Sequence, residues 1–393
     1  MARSRASVSK SMWSRAMKSS GILRVIWLVG ALAVGGGGYL ASPEVRAVVM
    51  RVLRAVQTAR QDRPTQPSDS AGFVRTYFTH PDGSASVGAN PASALAQYVD
   101  QTQKTLDVCA FELDNKVVVD ALVRAVGRGV RVRLVTETNY LEESGVKALQ
   151  AVNVPVVDDR RSGSLMHNKF MVFDNKAVWT GSMNFTENCA YRNNNHGVYI
   201  EDERLASNYA TKFRWMFENR KFGGLPSKTD AIPYPRITLP DGTEVENYFS
   251  THDKCAQHVI DTIKQAKKSI HFLAFSFTHD GISKAMLERQ RAGVLISGVF
   301  ETTQASGGHS EYDTLRKAGL PVFLDGNPRN MHHKAIIIDG EVVVAGSFNF
   351  SDSADKSNDE NLVIIHNQKV AQQFEDEFQY VLSTAKQMLA RAK

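Results

Sequence analysis

The chain is 393 residues long, 42% hydrophobic and 22% charged, which excludes wholesale disorder and leaves room for two domains or one large two-fold unit. Its net charge of +6 is unevenly spread: residues 1–63 carry eleven Lys and Arg against two acids, and the rest carry 36 against 39. The body is therefore mildly acidic, which argues against a surface built for non-specific nucleic-acid binding but leaves room for a local basic groove.

Residues 1–21 read as a basic cytoplasmic flank, with Arg3, Arg5, Lys10, Arg15 and Lys18. Residues 22–41 read as a membrane anchor or signal segment. From Val25 to Ala41 there are 17 residues without charge, weakened by four consecutive glycines from Gly35 to Gly38. That length is short for a span and longer than most signal-peptide cores. Tyr39 stands where cleavage at Ala41-Ser42 would want a small residue, so an uncleaved anchor is favoured over a cleaved signal. The basic flank predicts a membrane-anchored protein with an extracytoplasmic body, or a secreted one if the segment is cut. Residues 42–72 form a linker with the polar, Pro-containing run Gln61 to Ser68.

The rest is organised by an internal repeat. His167, Lys169 and Asp174 recur as His332, Lys334 and Asp339, all displaced by 165 residues, and Gly181, Ser182 and Asn184 recur as Gly346, Ser347 and Asn349. Upstream the match slips by one residue, pairing Ala110-Phe111 with Ala274-Phe275 and Glu137 with Glu301. Each half predicts a strand near Val108 or Ile270, then a helix from Val117 to Arg128 or Ile282 to Ala292. A second strand follows, Val130 to Thr136 or Val294 to Phe300, then a further helix and strand, and the motif strand. This alternation predicts an α/β fold with a mainly parallel sheet in each half. The domains fall at 73–218 and 245–393, joined by a connector at 219–244, as an internal pseudo-dimer within a monomer. Cys109, Cys189 and Cys255 are too few and too scattered for a disulfide framework or a zinc site.

On a strand, side chains two apart share a face, so His167 and Lys169 point together, as do His332 and Lys334. Ser182, Asn184, Ser347 and Asn349 add hydroxyl and amide donors. Two facing copies suit a phosphodiester. The lysines would neutralise the non-bridging oxygens, with the Ser and Asn side chains binding the phosphate. One histidine would attack phosphorus, and the other would protonate the leaving oxygen. No cofactor and no metal is expected, because the lysines supply the positive charge. His333 should point away from the His332 face, packed or solvated. His196, His366, His252 and His309 receive no catalytic role, and Trp179 and Phe185 are expected in the core.

His167-x-Lys169-x4-Asp174-x6-Gly181-Ser182-x-Asn184 and its copy from His332 to Asn349 resemble the signature of the phospholipase D superfamily, over about residues 73–385. Each half is also similar to the compact bacterial nuclease and mitochondrial cardiolipin-hydrolase branch, whose members pair two chains into one site. The resemblance implies two pseudo-symmetric α/β sandwich domains sharing one interfacial site. It also implies a phosphohistidine intermediate without metal, and an architectural role for Asp174 and Asp339. In many members a carboxylate downstream of each motif orients a histidine. Here Glu360 lies 28 residues after His332, but Asn195 holds the matching place after His167. Paired with Glu360, His332 would be the better general acid and His167 the nucleophile; the alternative is that Glu360 reaches across to His167.

The expected activity is a phospholipase D-type hydrolysis of a phosphodiester, first of all a phospholipid reached through the membrane segment, releasing the head group and leaving phosphatidic acid. A nuclease is the alternative, with Arg160-Arg161, Arg192 and Arg329 as candidates for its groove. Phosphatidyl transfer to an alcohol, of the cardiolipin synthase kind, shares the intermediate. A non-catalytic membrane scaffold is opposed by two intact motifs.

Overall fold

The first half runs β1 (Val74–Phe78), α1 (Pro91–Gln101), β2 (Thr105–Ala110), α2 (Lys116–Gly127), β3 (Arg131–Thr136), α3 (Ser144–Ala151), β4 (Val156–Asp158), β5 (Lys169–Phe173), β6 (Ala177–Gly181), α4 (Glu187–Tyr191), β7 (His196–Glu201) and α5 (Glu203–Phe217). The second runs β8 (Arg236–Thr238), β9 (Glu244–Phe249), α6 (Cys255–Lys264), β10 (Ser269–Ala274), α7 (Asp280–Arg291), β11 (Leu295–Phe300), α8 (Thr302–Ala305), α9 (Tyr312–Lys317), β12 (Val322–Leu324), β13 (Lys334–Ile338), β14 (Val342–Gly346), α10 (Asp352–Lys356), β15 (Asn361–His366) and α11 (Gln368–Arg391). This computed structural model of the protein describes residues 72–81, 90–224 and 230–391. The segment at 22–41 and its basic flank lie outside the described residues, among which no helix is long and apolar enough to cross a membrane.

Local chemistry explains the shared elements. In α2 the Asn115 side chain accepts from the Val118 N–H, while Val118, Ala121, Leu122 and Ala125 form a buried stripe at helical spacing. In α7 the imidazole of His279 takes the same capping role, accepting from Gly281 and Ile282. Both helices stop before a glycine in the left-handed region, Gly129 at φ 87° and Gly293 at φ 91°.

Each half builds a mixed sheet. The orders are β1-β7-β6-β5-β2-β3-β4 and β12-β11-β10-β13-β14-β15-β9-β8, the same arrangement apart from the extra edge strand β8 from the connector. The expectation of mainly parallel sheets is corrected here. Among the described residues, nine of the thirteen strand pairs are antiparallel. Helical crossovers join β2 to β3 and β10 to β11 in parallel, but β5–β6 and β13–β14 are hairpins. Their turns place Asp174 and Asn175, and Asp339 and Gly340, at positive φ.

One outer core lies under the helices of each half, and a third core is shared by both halves. In the shared core Tyr209 of α5 meets Phe249 of β9 edge-on at 5.1 Å, and Phe170 packs on both. Each fully buried aromatic there contributes about 2–3 kcal/mol. The halves are therefore layers of one folding unit.

Candidate active site

The motif histidines sit just before β5 and β13, where each half docks on the other. The His167 N–H donates to the Asp359 carbonyl at 3.0 Å, and the His332 N–H donates to the Asn194 carbonyl at 2.8 Å. Short parallel bridges, Met166 to Asp359 and Asn194 to Met331, extend these contacts. Within each half, the glycine of the Gly-Ser-x-Asn segment allows a close approach to the strand that follows. A Cβ on Gly181 would meet the His196 carbonyl oxygen at 2.3 Å, and one on Gly346 would meet that of Asn361 at 2.4 Å.

The docking decides the histidine partners. His167 Nδ1 lies 2.8 Å from Glu360 Oε2, and His332 Nδ1 lies 2.9 Å from Asn195 Oδ1. The expected pairing of Glu360 with His332 is thus corrected: each histidine is held by the opposite half. Glu360 also accepts from Ser347 Oγ at 2.6 Å, and Asn195 Oδ1 accepts from Ser182 Oγ at 2.9 Å. The Asn195 amide nitrogen donates to the Cys189 carbonyl, which leaves its oxygen to accept. Both histidines therefore donate from Nδ1 and keep Nε2 for chemistry.

The two serines differ from their expected role on the phosphate. Both are fully buried. Each hydroxyl donates to the histidine's partner and accepts a backbone N–H, from His196 to Ser182 and from Asn361 to Ser347. They position the positioning groups and have no hydrogen left for a ligand.

Each lysine is fixed symmetrically. Lys169 Nζ donates to the His167 carbonyl at 2.6 Å, and Lys334 Nζ to the His332 carbonyl at 2.9 Å. Both ammoniums also sit over aromatic rings, 4.7 Å from Phe111 and 4.5 Å from Phe275. Those rings pack edge-on against His167 and His332. Asn184 Nδ2 donates to Glu112, and the Oδ1 atoms of Asn184 and Asn349 are buried with no hydrogen-bond partner among the described residues. Asp174 and Asp339 lie outside this group. Each accepts three backbone N–H bonds from the residues entering β2 or β10, at 2.7–2.9 Å, which hold both carboxyls below the usual range against the opposing effect of burial.

Burial dominates the electrostatics. It lowers His167 to about 4, although Glu360 pulls the other way and the two lysines add to the fall. It lowers Lys169 to about 8 and pushes His332 and Lys334 well down. Burial alone would raise Glu360, but His167, Lys169 and Ser347 hold its carboxyl below the ordinary value. Burial thus disfavours positive charge on these groups, and an anion between the lysines would stabilise both ammoniums and an imidazolium. Among the described residues, no group of three or more His, Cys, Asp or Glu side chains is placed to hold a metal ion.

Several supporting residues escaped the sequence reading. Asp359, beside Glu360, is buried between Lys212 at 2.6 Å and Arg161 at 2.7 Å. Arg161 is therefore spent on architecture and leaves the list of groove candidates. At the pseudo-equivalent place the Asn194 Oδ1 accepts from Asn327. His333 is fully buried, neither exposed nor idle: its Nε2 meets Glu377, and its Nδ1 lies 3.1 Å from that of His196. The 165-residue displacement pairs Lys212 with Glu377 and Asn361 with His196, a signal that could have found both clusters. Trp179 and Phe185 are core residues. Arg192 and Arg329 line a common cavity of about 340 Å³ with Asn194 and Asn327.

Comparisons with known proteins agree with this arrangement. A family model described as "Cardiolipin synthase, PLD-like domain" matches residues 95–217 and 259–382, once in each half. The phospholipase D of Rickettsia prowazekii (strain Madrid E) is 28% identical over 178 residues, 45% of this chain and 82% of that protein. The mitochondrial cardiolipin hydrolase of Chlamydomonas reinhardtii is 33% identical over 150 residues, 38% of this chain and 67% of its own length. The crystal structure of phosphatidylserine synthase from Haemophilus influenzae Rd KW20 is 14% identical, with a TM-score of 0.59, covering 84% of this chain and 90% of that one; it speaks to the fold alone.

Proposed function

The chain belongs to the phospholipase D superfamily, and on that premise we propose that it is a phosphodiesterase that removes the head group of a phosphatidyl lipid, leaving phosphatidic acid. The observation that carries the mechanism is the Glu360–His167 contact, opposed across the cleft by His332 on a neutral amide.

His167 is the nucleophile in this proposal. Glu360 fixes the tautomer that aims the Nε2 lone pair outward and stabilises the positive charge that grows on the ring as Nε2 bonds to phosphorus. Lys169 and Lys334 neutralise the non-bridging oxygens. His332, protonated once the phosphate anion is bound, gives its Nε2 proton to the leaving oxygen as the P–O bond breaks. Water then loses a proton to His332 and attacks phosphorus, and the P–N bond breaks to restore His167. The assignment of His167 keeps the sequence expectation but reverses its reason, because the carboxylate serves the attacking ring.

The names of the relatives, phospholipase D and cardiolipin hydrolase, support a lipid substrate. The apolar stretch at 22–41 supports a tether that holds the body at a bilayer outside the cytoplasm. A nuclease is the second reading, favoured by Arg192 and Arg329, which line one cavity with Asn194, the residue whose carbonyl holds the His332 N–H. The test is incubation of the purified protein with labelled phosphatidylcholine, cardiolipin and single-stranded DNA, beside His167→Ala. Release of head group with a trapped phosphoenzyme is expected. Cleavage of DNA alone would replace the lipid reading with the nuclease, and a phosphoenzyme surviving in His167→Ala would overturn the nucleophile.

A further inference from the structure

The residue after the paired aromatics breaks the repeat. Phe111 is followed by Glu112, whereas Phe275 is followed by Ser276. Glu112 is half-buried. Its carboxylate takes the Asn184 amide hydrogen, and its charge acts on Lys169, favouring the ammonium form. Tyr140 stands beside it, with Phe111 packed edge-on between the Tyr140 and His167 rings at 4.9 and 4.7 Å. A second carboxylate, Glu143, lies behind, accepting the Leu113 N–H.

A second observation points the same way. Asn184 is only 6% exposed, and its Oδ1 is buried with no hydrogen-bond partner among the described residues. The first-half wall therefore presents a carboxylate and an amide oxygen, both acceptors, next to the lysine. The second-half wall has the matching amide oxygen of Asn349, but the small neutral Ser276 in place of the carboxylate and Gln304 where the repeat would put Tyr140. An acceptor-lined wall welcomes a hydrogen-bond donor or a cation, and it opposes an anionic oxygen in a partly solvated cleft.

We propose that Glu112 is a specificity residue that filters what flanks the reacting phosphate, admitting neutral or ammonium-bearing neighbours and disfavouring a second phosphate. The filter rests on the reading of the cleft as a phosphodiester site. It favours zwitterionic lipids over nucleic acid and over lipids with two phosphates. Glu112 acts through charge, so Glu112→Gln keeps the shape and the acceptor for Asn184 while removing the filter.

Two measurements test it in wild type and Glu112→Gln. The first is the cleavage ratio, as kcat/KM, within two matched pairs: phosphatidylethanolamine against cardiolipin, and a dinucleoside monophosphate against the same molecule with a terminal phosphate. The second is the ratio of dissociation constants for inorganic phosphate and pyrophosphate by calorimetry, which needs no turnover. Glu112→Gln should shift each ratio about tenfold towards the doubly phosphorylated member, the order expected for one like-charge contact. Unchanged ratios would overturn the filter. If the dinucleotides are cleaved and the lipids are not, the lipid reading falls and the nucleotide pair still decides the filter. If nothing is cleaved, the calorimetric ratio decides it alone.

Discussion

The surroundings of His167 and His332 share a backbone and differ in charge. Both rings donate from Nδ1 to the opposite half, both lysines cap the carbonyl of their own histidine, and both serines brace the partner group. Around His167 these positions carry Glu360, then Asp359 with Lys212 and Arg161, and Glu112 at the wall. Around His332 they carry Asn195, the Asn194–Asn327 amide pair, and Ser276. The repeat thus carries one geometry twice, and a few side chains set the charge of the two surroundings apart.

The strongest way to break this comparison is to remove each histidine in turn. His167→Ala should lower kcat/KM by at least about 10,000-fold and abolish the phosphoenzyme seen by rapid quench. His332→Ala should still form it from a substrate with an acidic leaving group but fail to release it. Equal loss of phosphoenzyme in both variants would mean the roles are not divided. Next, Lys169→Met and Lys334→Met should each cost about 100–1,000-fold in kcat/KM. Burial lowers both ammoniums, so wild-type activity should fall as the pH rises, with Lys169 losing its proton through about 8.

Stability gives a sharper contrast. Lys212→Met leaves buried Asp359 with Arg161 and the Gly223 N–H, and should destabilise the fold by about 3 kcal/mol in urea; Asn327→Ala on the other side should cost about 1 kcal/mol. Glu360→Gln should lower kcat by roughly 10–100-fold while preserving the fold. The carboxylate holds His167 up against burial, so its removal should move the acid limb of kcat/KM below about 4. Asn195→Asp should do the opposite for His332, shifting its titration upward. Asp174→Ala removes the acceptor of three backbone N–H bonds, should cost about 1–2 kcal/mol and leaves phosphoenzyme formation intact.

The legible part of the molecule follows from local rules. The strand period places His167 with Lys169, and the fixed displacement says that the group occurs twice. Helices α2 and α7 and the strands around them are visible because apolar spacing and terminal glycines are local properties. Strand direction lies in the turns and not in the alternation of strands with helices. Asp174-Asn175 and Asp339-Gly340 are short-hairpin signals in plain view. The partner of Glu360 was harder for a different reason. Its distance along the chain from His332 is fixed by sequence, but its distance in space from His167 is fixed by how two sheets dock. Burial of Ser182 and Ser347 belongs to the same class, because a hydroxyl in a motif carries no mark of whether it faces a ligand or a neighbour.

The crossing of partners also has a consequence for descent. A substitution at Asn195 is felt by a ring 137 residues away, and one at Glu360 by a ring 193 residues away. Neither repeat can drift as an independent lineage, since each writes half of the other's chemistry. A recombination that exchanged one copy wholesale would mix the partners of both histidines at once. The two copies therefore constrain one another as interacting proteins do, although they share a single chain.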